Sequence, residues 1–496
     1  MLKVRTTKTG SKNTAVQIVL NIDHKTQIIK HIGSAKDDQE LEDLKILGYQ
    51  YINKLILDSG QLPLFKEKES KLVSIDNLNV IATNHMFAYD YLSHIYDING
   101  FNILNNRLLR DLAIMRIIEP VSKTESLDLM EEYFNINHSK GNLYRNLVKI
   151  TKIKDDIESV AIDYAKKNFN FDFSLVFYDV TNLYFETNKS DDLRKPGYNK
   201  DGKSQQPQVA IGLVVNRDGY PISIEIFEGN KFEGDTFIPT ILGLKKRHNI
   251  ETLTVVADAA MLSYKNMEAL NNAGLYFIVG ARLSKIDKGL LSSIVVELNK
   301  EEGKYIESST KYGTLVTDYS KKRAQKDKSD REKQIRKAQY HIQYPSKNKR
   351  PRFVRKLDKE RFEINTALIE LYELKEGIKG YYHNLQNISP QLIVSRYHDL
   401  WHVEKSFRIA KSDLKARPIY HRKKDMILAH ILIVFVSLCI SKALELKTGY
   451  SIKLIKKNIM RINDVTLQDS LTKQFMTKRM NIPDNEIYST LLKFIS

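Results

Sequence analysis

Two aspartates, Asp179 and Asp258, each close a short apolar run, Phe173-Ser-Leu-Val-Phe-Tyr-Asp179 and Leu253-Thr-Val-Val-Ala-Asp258. A glutamate, Glu404, lies in Tyr397-His-Asp-Leu-Trp-His-Val-Glu-Lys-Ser-Phe-Arg-Ile-Ala-Lys411, accompanied by Arg408 and Lys411. Three carboxylates brought together supply hard oxygen ligands, which suit Mg²⁺, with Mn²⁺ as a substitute. Such a set can hold two ions roughly 3.5 to 4 Å apart, one activating an attacking water or hydroxyl and the other stabilising the leaving oxygen. A carboxylate among cations is poorly placed for catalysis on a neutral substrate. It suits a metal gripping a polyanion whose phosphates the cations also hold. Singly, each aspartate reads as a helix N-cap or loop acid, and Glu404 as half of an ion pair with Arg408 or Lys411. Together they point to phosphodiester chemistry.

Secondary structure must position these groups. Ser389-Pro390 offers a side-chain cap and a proline for the first helical position, and Pro418 lies beyond, so the segment between reads as one helix. At about 100° per residue, Val403, Phe407, Ala410 and Leu414 form an apolar stripe, with Tyr397, Glu404, Arg408 and Lys411 along its neighbour. Trp401, beside that polar stripe, reads either as a platform for an exposed base or as core packing. Upstream, the pattern predicts a buried strand ending at Asp179 and a hairpin of Val209 to Val215 and Ile222 to Phe227 about the turn Asn216-Arg-Asp-Gly219. A helix over 236–247, a strand ending at Asp258, a helix over 263–272 and a strand over 275–279 follow. Three strands, helix, strand, helix, strand is the layout of a ribonuclease H-like α/β sheet, which sets the ends of its first and fourth strands side by side.

The expected fold class is therefore α/β, a ribonuclease H-like catalytic domain with a β-rich insertion, preceded by a mostly helical DNA-binding region. The boundaries are a β-ribbon and helix unit over 1–70, a helical region over 71–168, core over 169–280, a β-rich, basic insertion over 281–375, core with the Glu-bearing helix over 376–450, and a basic tail over 451–496. The helical region is compatible with helix-turn-helix docking on DNA and equally with a plain bundle. Within the insertion, strands are expected at 294–296, 305–307 and 314–317, followed by a charge-dense run from Lys321 to Arg361. That run holds Lys321, Lys322 and Arg323, then Lys347 and Lys349, and reads as a phosphate-contacting arm. Residues 367–371 and 381–384 read as strands resuming the core, and 424–446 as an amphipathic helix.

Across 496 residues, 78 basic against 60 acidic side chains give +18, favouring nucleic acid as partner, with an anionic membrane surface second. One cysteine, Cys439, excludes a disulfide framework and fits a reducing cytoplasm, where a DNA-acting protein would associate with the nucleoid. The N-terminus has no signal-like apolar core, and Met426 to Ile440, broken by His430, falls short of the roughly 20 apolar residues of a membrane span. It is expected as a buried helix, without membrane association. No closely spaced Cys/His zinc set or Gly-rich phosphate loop competes.

With these residues in place, the chain resembles the DDE transposases of bacterial insertion sequences, in the superfamily with a Tyr-Arg-Glu-Lys signature. The likeness spans about 170–445 and rests on Phe177 to Glu186, Gly197 to Lys203 with Gln208 to Val215, Val255 to Asp258, Tyr397 to Lys411, and Arg417-Pro-Ile-Tyr-His-Arg422. The resemblance implies that Asp179, Asp258 and Glu404 are a metal-binding triad for Mg²⁺. It implies too that Tyr397 and Lys411 contact the element's end and that the stretch between Asp258 and Glu404 is a β-rich insertion. Leu400 stands where the signature has arginine, so Arg408 or Arg396 would supply that phosphate contact. The implied activity is cut-and-paste transposition: binding of terminal inverted repeats, metal-assisted nicking, often through a hairpin, and joining to target DNA by a homodimer bridging both ends. Other readings are a ribonuclease H-like nuclease without strand transfer, a catalytically silent element-derived DNA-binding protein, and an acid/base glycosidase, which fits the surrounding cations poorly.

Overall fold

The computed structural model describes residues 2–10, 13–22, 25–58, 77–187, 189–197, 205–344, 350–357, 361–470 and 473–494. They fall into two units, Met1–Asn84 with Asn463–Asn481 and His85–Ile462 with Ile482–Ser496. In the first, β1 (Leu2–Lys8), β2 (Thr14–Ile22) and β3 (Lys25–Ala35) form an antiparallel sheet on which α1 (Asp38–Asp58) packs. A second small sheet pairs β4 (Leu78–Asn84) with β16 (Asp464–Asp469), and β16 with β17 (Phe475–Arg479). The stretch expected as a basic tail thus carries two strands, flanked by the helices α15 (Ile452–Ile459) and α16 (Glu486–Lys493) of the second unit. An edge strand such as β4 needs a partner for its amides and carbonyls, and that partner comes from the far end of the chain. The expected boundary at 70 lies outside the described residues.

The second unit begins with α2 (Met86–Ile98), α3 (Arg107–Ile118), α4 (Lys123–Phe134), α5 (Lys140–Lys152) and α6 (Lys154–Phe169). Asn106, Ser122 and Ser139 accept from the amides of Leu109, Glu125 and Asn142, so three of these helices start on side-chain caps. They gather around α14 (Lys424–Thr448), which meets α2, α3, α5 and α6. The Ser437 hydroxyl of α14 donates to the Ala113 carbonyl of α3 at 3.0 Å. Within this packing α3 is buried along most of its length. The helix expected to be amphipathic, α14, is instead buried nearly all round from Ile427 to Leu444. It is long and apolar enough to cross a membrane, yet 94% of its most apolar window is covered by the fold.

Beyond the bundle come β5 (Val176–Tyr184), β6 (Lys195–Pro196), β7 (Pro207–Asn216), β8 (Pro221–Glu228), α7 (Glu233–Arg247), β9 (Thr254–Ala257), α8 (Tyr264–Asn272) and β10 (Tyr276–Gly280). Next are α9 (Lys288–Leu298), β11 (Tyr305–Thr310), β12 (Gly313–Tyr319), α10 (Lys321–Gln343), β13 (Val354–Lys356), β14 (Phe362–Ile364), α11 (Thr366–Leu374), β15 (Ile378–His383), α12 (Pro390–His398) and α13 (Trp401–Ser412). A nine-stranded mixed sheet runs β11-β12-β15-β10-β9-β5-β7-β6, with β8 also on β7. β5, β9 and β10 are parallel, and β7 is antiparallel to β5 and β8. β7 is buried at every residue, as a strand covered on both faces must be.

Several expectations are corrected. Residues 294–296 lie within α9, where Leu291, Ile294 and Leu298 are buried at helical spacing and override the β-branched run. Residues 367–371 belong to α11, whose start is capped by Asn365 on the Leu368 amide. β11 and β12 extend the main sheet through β15, so the stretch from 281 is only partly an insertion. The charge-dense run opens as α10, which packs Ile335, Ala338 and Ile342 against Phe353, Val354 and Phe362 in a small core of its own. Lys347 and Lys349 lie outside the described residues. The single helix expected from Pro390 to Lys411 is two, broken at Asp399-Leu400.

Candidate active site

Register brings the two aspartates together. β5 and β9 run parallel with Tyr178 beside Ala257, so Asp179 and Asp258 are the next residues on adjoining strands, which stand roughly 4.8 Å apart. β9 ends there, whereas β5, expected to end at Asp179, runs on to Tyr184 because β7 still pairs with it. Successive strand residues face opposite sides. Tyr178 meets Thr236 of α7 at 2.7 Å between hydroxyls, while Phe177 faces His402 of α13 with ring centroids 6.4 Å apart. Asp179 shares the Phe177 face, the one carrying α13.

Asp258 Oδ1 accepts from the Ala259 amide at 2.6 Å and from the Tyr397 hydroxyl at 3.2 Å. The second contact depends on Gly280, where a Cβ would stand 2.5 Å from the Tyr397 hydroxyl oxygen. Asp179 Oδ1 accepts from the Val180 amide at 2.8 Å. Burial first, then the charge and hydrogen bond of Asp258, hold the Tyr397 phenol far above its ordinary range, so it stays protonated. The Lys379 ammonium of β15 lies 4.6 Å from the centre of the Tyr397 ring and 5.7 Å from that of Tyr381. Burial, with Arg323 adding, holds Lys379 below its ordinary value, opposed by Asp318, Asp258 and Glu404. The charges of Asp258 and Glu404 both oppose the lowering of Lys379 and both add to the raising of Tyr397. Lys379 has no local signal in a lysine-rich chain; only its two-residue spacing from Tyr381 puts it on that face.

On α13, Val403, Phe407 and Ala410 are buried, as is Leu414 just beyond, and Glu404 and Arg408 are exposed beside them, as the stripes predict. The Ser406 hydroxyl donates to the Gly219 carbonyl at 2.8 Å, fixing α13 to the β7–β8 turn. Tyr397 lies on α12 and is buried, apart from the exposed stripe expected for it. Trp401 is 49% exposed and stacks on His402 with centroids 3.9 Å apart, which excludes the core-packing reading. Lys411 is half-buried beside Thr181 and Leu183, and Leu400, at the signature's arginine position, is buried. Lys321 and Lys322 are exposed at the start of α10. Arg323 is engaged otherwise: it pairs with Asp318 at 3.3 Å and donates to the Gly377 carbonyl at 3.1 Å, pinning α10 to the sheet.

Among the described residues, no three His, Cys, Asp or Glu side chains stand close enough together to hold a metal ion. The donor chemistry fits a hard divalent cation nonetheless. Asp179 and Asp258 occupy matching positions on neighbouring strands, and the exposed Glu404 shares Lys379 with Asp258. Closure on an ion would require movement of side chains, for which Glu404 has room.

A family model described as the transposase DDE domain matches residues 170–440. Among solved structures, the chain is similar to the piggyBac transposase in a cryo-EM synaptic complex with hairpin DNA, at 11% identity over 74% of this chain and 70% of that one. The TM-score is 0.37. No curated protein matches the chain.

Proposed function

The chain belongs to the DDE transposase domain family, and from that premise we propose that it is the transposase of a bacterial insertion sequence, which cuts at terminal inverted repeats and joins the freed ends to target DNA. The observation that carries this reading is the register that sets Asp179 beside Asp258 on adjoining strands, with α13, the helix that bears Glu404, packed on β5. The order β8-β7-β5-β9-β10, with β7 alone antiparallel, supports a ribonuclease H-like core.

In this reading Asp179, Asp258 and Glu404 hold Mg²⁺ or Mn²⁺, which supplies Lewis-acid activation of water or a 3′-hydroxyl and stabilises the leaving oxygen. The chain's own groups bind and orient. Tyr397, kept protonated, donates to Asp258 Oδ1 and fixes that carboxylate's rotamer. Lys379 offsets the charge of Asp258 and Glu404 and offers a donor to a phosphate oxygen. Arg408 stands in for the signature's arginine, Lys411 contacts the element's end, and the exposed Trp401 ring receives an unstacked base. Lys321 and Lys322 reach the backbone. The working assembly is a homodimer bridging both ends, acting in the cytoplasm at the nucleoid.

The test is cleavage of a supercoiled plasmid carrying the element's own inverted repeats, with Mg²⁺, Mn²⁺ or EDTA, comparing wild type with Glu404→Gln. Metal-dependent cuts at the repeat ends, followed by joined products and absent in the variant, are expected. Cuts without joining would indicate a nuclease, and binding without cuts a silent DNA-binding protein.

A further inference from the structure

We propose that the cavity between the α3–α4 turn and the segment from Lys415 to His421 is a binding site for a phosphate group, distinct from the three acids and supplied, on the transposase reading, by the DNA backbone. The cavity measures about 490 Å³, and Arg116, Lys123, Lys415, Tyr144, Tyr420 and His421 are among its lining. Two of its cations are buried, Arg116 at 5% and Lys123 at 4% exposure. Among the described residues neither has a carboxylate partner. Arg116 donates one bond, from Nη2 to the Val121 carbonyl at 3.0 Å, and its Nε is buried without an acceptor. Burial, with Arg116 adding, holds Lys123 well below its ordinary value, and burial brings Arg116 down to about 10, so a bound anion would favour the charged form of both. The one carboxylate residue on the lining, Glu125, is exposed at the rim, and its amide is taken by the Ser122 cap.

The surroundings select the anion. Lys123 and Thr124 open α4, so their amides lack helical acceptors and sit at the positive end of the helix dipole. A phosphate can take the guanidinium fork, the ammonium and these amides together, as helix N-termini commonly allow. The two histidines behind do not compete for it. Burial, with Lys123 and Arg116 adding, holds His421 down at about 4 and His430 well below its ordinary value, so both are neutral. Tyr144 and Tyr420, 50% and 69% exposed, line the same cavity, as a site for a sugar-phosphate chain would allow.

The test uses the full chain in EDTA, where no cleavage occurs, so its failure would leave the triad reading untouched. A fluorescent duplex is titrated by anisotropy over a KCl series, and melting is followed with inorganic phosphate or chloride at equal ionic strength. Phosphate should raise the melting temperature of wild type and not of Lys123→Met. That variant should melt above wild type in chloride, because a buried amine without a carboxylate partner is gone. Its duplex affinity should fall, with a salt slope smaller by about 0.9 for one phosphate no longer neutralised. Lys415→Asn, at an exposed position that cannot compromise the core, should weaken the duplex too. Phosphate stabilisation with unchanged duplex binding would overturn the DNA assignment in favour of a free phosphate. No response to phosphate and no change in slope would overturn the site altogether.

Discussion

The smallest scale on which this protein can be tested is the single carboxylate. Asp179→Asn and Glu404→Gln should reduce plasmid cleavage to background while leaving binding to the repeat ends nearly intact in a gel-shift assay; loss of binding would make these residues structural. Tyr397 acts one step removed, through its 3.2 Å bond to Asp258. Tyr397→Phe should therefore cost about 10–100-fold in cleavage, the usual range for a group that orients a metal ligand, and should raise the Mg²⁺ concentration for half-activity. Unchanged metal dependence would reduce the tyrosine to packing. Gly280→Ala should behave similarly, since the added methyl would meet the same hydroxyl.

At the scale of elements, two junctions hold the site's frame. Glu158 of α6 is buried and accepts from the Ser223 hydroxyl at 2.9 Å and the Ile224 amide at 3.0 Å of β8, and from Arg247 of α7 at 3.0 Å. Burial alone would raise its carboxyl, but the His248 hydrogen bond, Lys154, Arg247 and the Ile224 amide outweigh it and bring the value down to about 2, against 4.5 for a free glutamate. A carboxyl depressed in the fold stabilises it above the free value, and that contribution is lost as pH falls through the folded one. Melting temperature should therefore drop between about pH 4.5 and pH 2 in wild type. Glu158→Gln should melt lower already at neutral pH and show a flatter acid slope; equal slopes would deny the junction this role. In α14, Leu432 is wholly buried, and Leu432→Ala should cost about 2–5 kcal/mol in chemical denaturation, without altering cleavage by the fraction that remains folded.

For the whole molecule, a net charge of +18 predicts that the proposed binding to nucleic acid is strongly salt-dependent. Its distribution decides which cations contribute. Lys321 and Lys322 are exposed on α10, whereas Arg323 next to them is tied to Asp318 and Gly377. Neutralising both lysines to glutamine should weaken duplex binding and flatten the salt slope by about 0.9 for each phosphate that the lysines had neutralised. Arg323→Gln should chiefly lower thermal stability. If the double lysine variant leaves the slope unchanged, the exposed face of α10 is merely solvated.

The sequence by itself determined whatever local periodicity encodes. Alternation and apolar runs marked β5, β7, β8, β9 and β10, helical spacing marked α7, α8 and the buried face of α13, and the order of these elements implied that the strands bearing Asp179 and Asp258 would be neighbours. Tertiary structure decided the rest, because it depends on contacts between residues distant in the chain. The break at Asp399-Leu400 separates Tyr397 from Glu404 and lets α12 lay its tyrosine against Asp258, which no single-helix wheel describes. β4 and β16 satisfy each other's backbone groups from opposite ends of the chain, so neither carries a hairpin signal. Lys379, Arg116 and Lys123 look like any other basic residue in a lysine-rich sequence. What distinguishes them is burial beside particular neighbours, and that exists only once the sheet and bundle have closed around them.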